Sequence, residues 1–193
     1  NSSRCCARRT LILLLNDAGH HIVGTCNKTQ AGAQKTLHTT SVSASVWPQV
    51  HIPLDTDVIW LCTPDRELGP CAAALQSSMP PGPLPVLLHP SGTIASEVIR
   101  RAAPKALGTA GVHPLYSFTD PERNVVGVTQ AAWFIEGDPQ GVQTAEELLA
   151  PAGIRPKTLR VADRHAYHAG AVLASNAVVA VVNAAIELMQ STG

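Results

Sequence analysis

Apolar residues along this chain alternate between two rhythms, short continuous runs and longer stretches with helical spacing, and the alternation predicts the fold class. Residues 7–18 read as a helix stopped by Ala18-Gly19, and His21-Ile22-Val23-Gly24-Thr25-Cys26 as the strand that follows. Gln30 to Thr40 reads as a second helix, residues 41–45 as polar loop, and Val50-His51-Ile52 as a short strand. The run Asp57-Val58-Ile59-Trp60-Leu61-Cys62-Thr63 is almost unbroken in apolar residues, as expected of a strand covered on both faces. It stops at Pro64-Asp65, and Arg66 to Gln76 reads as the returning helix.

Met79-Pro80-Pro81-Gly82-Pro83 is excluded from regular structure and reads as a linker to the next strand, Leu84 to His89. A helix at Thr93 to Ala102, strands at Leu107 to His113 and Ala131 to Glu136, a helix at Pro139 to Ala150 and a strand at Lys157 to Val161 continue the series. The result is an α/β protein with a mostly parallel sheet and helices on both faces. From Asp163 to Gln190 there is no proline and much alanine, which predicts one helix of about 28 residues, roughly 40 Å long. Asn176, Asn183 and Glu187 inside this apolar run argue against a membrane span.

Composition narrows the function classes. In 193 residues, 14 basic and 14 acidic side chains balance, so no net field draws the chain to nucleic acid or an anionic membrane. Five cysteines without CxxC spacing suit reduced thiols and a cytoplasmic setting. The apolar run Leu11 to Leu15 is too short for a secretory core and reads as buried helix. The first residue is Asn1 rather than methionine, which suggests a processed chain or a fragment.

Two motifs carry candidate chemistry. Val86-Leu87-Leu88-His89-Pro90-Ser91-Gly92 and Gly111-Val112-His113-Pro114-Leu115-Tyr116-Ser117-Phe118 each deliver a histidine to the end of a strand that proline then stops. Open α/β sheets place ligands at those ends. Ser91 and Gly92 suit either ligand approach or a helix cap, and Thr63-Pro64 ends the clearest strand. Asp65 is expected to cap the helix that follows. On the long helix, His168, Val172, Ser175, Asn176 and Asn183 share one face, with His168 and Asn176 read as site residues and Asn183 as packing. A zinc site from His89, His113, His165 and His168 lacks any supporting cysteine cluster, and no metal is expected.

These motifs, with Thr56 to Asp65, Phe134 to Asp138 and Tyr167 to Asn176, occur in an order that resembles one family. It is the Rossmann-like NADP-dependent oxidoreductase family related to pyrroline-5-carboxylate reductase, whose C-terminal half is a domain of unknown function. The resemblance implies a dinucleotide-binding domain, residues 1–162, and the first helix of a helical, dimerising domain, residues 163–193. It also implies that this helix lies across the active-site cleft and that the chain is truncated at both ends.

The family opens with a strand and a G-x-G-x-x-G turn that lets pyrophosphate approach the first helix. The corresponding positions fall near Ser3, Cys5 and Arg8, none of them glycine, so NADP binding by this chain is expected to be weak. Asn27-Lys28-Thr29 after the first predicted strand suits a 2′-phosphate, which prefers NADP over NAD, though the same residues suit a solvated turn with an N-cap. The expected activity is hydride transfer between NADP(H) and a small carbonyl, imine or alcohol substrate, impaired in this chain. His168, His113 and Asn176 are the expected catalytic residues, while Asn27, Lys28, Thr29, Thr63, Pro64, His89, Ser91 and Gly92 are expected at the cofactor. The second reading is a non-catalytic Rossmann module that serves binding or dimerisation.

Overall fold

The computed structural model describes residues 2–49, 51–118 and 121–191; of residues 2–5, 121–124, 175 and 176 it describes the backbone only. Helix α1 (Ser2–Asp17) leads to β1 (Thr25–Asn27), α2 (Gln30–Thr40), β2 (Ala44–Val46) and β3 (Val58–Trp60). A 3-10 turn (Asp65–Glu67) and α3 (Leu68–Ser78) precede β4 (Val86–His89), α4 (Glu97–Ala102), β5 (Thr109–Pro114) and α5 (Pro121–Gln130). Then come β6 (Trp133–Gly137), α6 (Pro139–Leu149), β7 (Lys157–Thr158), α7 (Arg164–Val172) and α8 (Val178–Gln190).

Strands β3, β4 and β5 run parallel side by side, β6 is antiparallel to β5, and β7 is parallel to β6. This is the mixed, mostly parallel α/β sheet expected. Alternation of side chains sends Val86 and Leu88 of β4 to one face and Leu87 to the other. The first face packs Leu11 and Leu14 of α1, Val128 of α5, and Ala145 and Leu149 of α6 against Val112 and Ile135. The second packs Leu68, Ala72 and Leu75 of α3 and Ile99 of α4 around Leu87. Burial on both faces explains why β4 is four consecutive buried residues.

Four expectations need correction. The sheet is broken: β1 and β2 pair only with each other, and among the described residues no strand joins β1 to β3. The strand after α2 is Ala44–Val46 rather than the segment around His51, because that register lets it pair with Thr25–Asn27; Val50 itself lies outside the described residues. Helix α5, ten residues that open on a proline, was not expected at all. Finally, the long helix is not uniform: a π-helical turn, Leu173–Ala177, separates α7 from α8. No described helix is long and apolar enough to cross a membrane.

Candidate active site

Three parallel strands deliver their C-terminal ends to one rim. Thr63 and Pro64 follow β3, Ser91 and Gly92 follow β4, and His113 is the penultimate residue of β5. Side chains then tie the loops together. Thr93 Oγ1 donates to Asp65 Oδ2 at 2.7 Å, joining the loop after β3 to the loop after β4. Asp65 therefore bridges the two loops, a role the capping expectation did not include. Ser91 Oγ accepts from the backbone of Thr93 and Ile94 at 3.2 and 3.1 Å, which fixes the turn containing Gly92.

Helix α7 is anchored over this rim through its first residue. Arg164 is buried, donates through Nη1 to the Ser91 carbonyl at 3.0 Å, and pairs through Nη2 with Glu136 Oε1 at 2.5 Å. Glu136, on β6, is equally buried and also accepts from Ser96 N–H and Ser96 Oγ, each at 2.9 Å. The carboxylate thus accepts from three donors, one of them the Arg164 cation, the condition under which a buried charge is tolerated. Gly111 makes this possible, because a Cβ there would collide with Glu136 Oε1 and come within 2.9 Å of His89 Cε1.

One turn further along α7, Tyr167 Oη lies 2.7 Å from His113 Nδ1. The tyrosine ring stands edge-on to the imidazole and packs against Phe134, with a centroid separation of 4.5 Å. Burial, with His168 and Arg164 nearby, lowers the His113 pKa to about 4, and burial raises that of Tyr167 to about 12. Both groups are therefore neutral near pH 7. Gly92 lies against the other end of the imidazole: a Cβ there would be 2.8 Å from His113 Nε2. The same Cβ would also come within 2.9 and 3.1 Å of Cε1 and Cδ2, so glycine spares this edge of the ring.

The expected residues divide by location. His113, Ser91, Gly92 and Thr63 share the rim, and His168 is close enough to His113 to act on its charge. His168 Nδ1 and Thr63 Oγ1 are buried and have no hydrogen-bond partner among the described residues. His89 is fully buried; its Nδ1 accepts from Ser91 N–H at 3.2 Å, so it acts on a ligand only through the Ser91 turn. Burial, then Arg164, lowers its pKa to about 3. Pro64 is exposed at the rim.

Asn27, Lys28 and Thr29 lie at the end of β1, in the separate two-stranded sheet. Thr29 caps α2 by accepting from Gly32 N–H at 3.1 Å, while Asn27 Oδ1 accepts from Thr36 and its Nδ2 is buried without a partner. Lys28 is exposed. The Asn176 side chain lies outside the described residues, and Asn183 is exposed on α8 rather than packed. The described residues contain no cluster of three or more His, Cys, Asp or Glu able to hold a metal.

Sequence reasoning missed the Glu136–Arg164 pair and Tyr167. The available signal was a carboxylate inside the apolar run Trp133-Phe134-Ile135-Glu136, which a buried strand tolerates only with a partner. A cavity of about 770 Å³ opens at the other end of the strands, lined by Asp57, Val58, Pro83, Val86 and Gln140, and shares no residue with the rim.

The residues fit a nicotinamide dinucleotide unevenly. At the strand ends, buried polar atoms on Thr63 and Asn27 await partners. At α1, where pyrophosphate would lie, Arg8 stands near a glycine position with Arg9 beside it, and their guanidinium groups donate to Thr36 and Thr39 of α2 at 2.9 and 3.1 Å.

A family described only as a domain of unknown function, DUF2520, matches residues 131–193. No curated protein matches the chain. Among solved structures, protein TM1727 from Thermotoga maritima is similar at 23% identity and a TM-score of 0.71, over 96% of this chain and 67% of that one. A Bacteroides fragilis protein, BF3122, described as an NADP oxidoreductase, aligns at 16% identity and a TM-score of 0.75, over 95% of this chain and 68% of that one. A pyrroline-5-carboxylate reductase from Coxiella burnetii aligns at 13% identity and a TM-score of 0.67, over 99% and 72%. At these identities the likeness is one of fold, and the fold is Rossmann-like.

Proposed function

We propose that the rim serves hydride transfer between NADP(H) and a small carbonyl, imine or alcohol substrate, in a protein of the pyrroline-5-carboxylate reductase-related kind. The observation that carries this is His113, held by Tyr167 of α7 at the C-terminal end of β5, with Gly92 sparing the ring edge that carries its other nitrogen a side-chain contact. A neutral imidazole there can hold or pass a proton at Nε2.

When bound, the cofactor would supply the hydride, and this chain would supply orientation and a proton. Thr63, Pro64, Ser91 and Gly92 would face the cofactor, with His89 bracing the Ser91 turn. Asn27, Lys28 and Thr29 would meet the 2′-phosphate. His168 and Asn176 would orient substrate from the helix above. The exposed apolar face of α8 is the surface through which we propose homodimerisation, and five cysteines without CxxC spacing suit a reducing, cytoplasmic setting.

The missing glycine turn makes binding weak. Adding NADPH to the ¹⁵N-labelled chain is expected to shift the amides of Thr63, Ser91, Gly92 and His113, more than NADH does, with an affinity poorer than micromolar. Shifts confined to the hollow around Asp57 and Pro83, or none at all, would sink the reading.

The occupied arginines at α1 favour a second reading, a Rossmann module without catalysis. Prefixing a strand and a glycine turn to α1 separates the two. NADP-dependent turnover supports the enzyme, and folding with dimerisation but no turnover supports the module.

A further inference from the structure

Resting on that reading of the rim, we propose that Tyr167 is a positioning residue. Its hydroxyl donates to His113 Nδ1 and holds the imidazole as the Nε2–H tautomer, which suits a substrate that accepts a hydrogen bond, a ketone or aldehyde oxygen, over one that offers a hydrogen.

The contact is short, 2.7 Å, and the tyrosine ring also meets Phe134 and His113, with centroid separations of 4.5 and 5.6 Å. Which atom donates follows from the chemistry of the two groups. A phenol O–H is a stronger donor than a neutral imidazole N–H, and an imidazole nitrogen is a stronger acceptor than a phenol oxygen, so across 2.7 Å the Tyr167 O–H donates to His113 Nδ1. A neutral imidazole carries one hydrogen, so an accepting Nδ1 places it on Nε2.

Burial keeps both partners neutral, as their shifted pKa values indicate. The charged groups that act on His113 are His168 and Arg164 from α7 and Asp65 from the loop after β3. Among the described residues Asp65 is engaged by Thr93, and Nε2 meets no acceptor. At Gly92 the absent side chain spares the imidazole edge that carries Nε2 a contact of 2.8 Å.

The histidine tautomer can be read directly, without cofactor or substrate, from the ¹⁵N shifts of the two ring nitrogens in the labelled chain near pH 7. The wild-type His113 is expected to show a pyridine-like Nδ1 and a pyrrole-like Nε2. Tyr167→Phe, which keeps the ring against Phe134, is expected to give an exchanging mixture of tautomers. A wild-type Nδ1–H form or a wild-type mixture overturns the proposal, as does a Tyr167→Phe spectrum identical to wild type. Should the variant fail to fold, the wild-type spectrum alone decides. The NADPH titration is independent: binding at the rim with a wild-type Nδ1–H histidine would defeat this inference and leave the oxidoreductase reading standing.

Discussion

Helices α7 and α8 are consecutive lengths of one helical run, yet the protein treats them oppositely. Helix α7 begins with a buried arginine bonded to Glu136 and to the Ser91 carbonyl, and it places Tyr167 on His113. Helix α8 is the more apolar of the two and none of its residues is buried; Val181 is 68% exposed and Leu188 69% exposed. Apolar character alone does not dock a helix. What docks α7 is a buried polar knot at one end and an aromatic contact one turn later.

The largest expected effect tests that knot. Arg164→Met leaves Glu136 buried with only the Ser96 donors, and breaking a buried pair from one side costs about 3 to 5 kcal/mol. Urea unfolding should show the loss, and amide exchange at Ser96 and Tyr167 should accelerate. A change below about 1 kcal/mol would mean that α7 is held by something other than the pair.

Acidification is expected to come next. His89 and His113 have folded pKa values lowered to about 3 and about 4, below the ordinary value of 6.5, so the unfolded chain binds protons that the folded chain refuses. Their contribution to stability is complete above pH 6.5 and is lost as pH falls toward 4. Between pH 7 and pH 5 the two together should cost roughly 2 to 4 kcal/mol, read as a lowered urea midpoint. His113→Gln and His89→Gln should each flatten that slope. An unchanged midpoint would contradict the buried, neutral state of both rings.

The smallest effect on the folded chain belongs to α8. Val181→Asp with Leu188→Lys should leave stability within about 0.5 kcal/mol, because neither side chain packs on the body. Sedimentation should nevertheless show self-association weakened at least tenfold. If the unmutated chain sediments as a monomer at every concentration, α8 is not the dimer surface.

What could be read in advance follows the physics of each element. Strand β4 and helix α2 were legible because one is a continuous apolar run and the other ends where its caps sit, at Thr29 and Ser41. The two histidines at strand ends were legible as well, since proline marks where each strand stops. Their difference was not: His89 turns under the Ser91 amide and His113 faces Tyr167, a matter of side-chain direction that spacing does not carry. Strand β2 was misplaced because a three-residue edge strand is chosen by its partner, not by its own residues. The π-helical turn left no trace in composition, and Glu136 with Arg164, 28 residues apart, become partners only through the fold.

The break between β1 and β3 has a consequence for how this chain meets others. A sheet in one piece presents two flanks to solution, and two sheets present four, so more of the backbone can recruit a stranger's strand. The defence visible here is brevity. With β1, β2 and β3 each only three residues long, an incoming ribbon gains few ladder bonds and little grip, which should keep the open flanks from seeding fibrils.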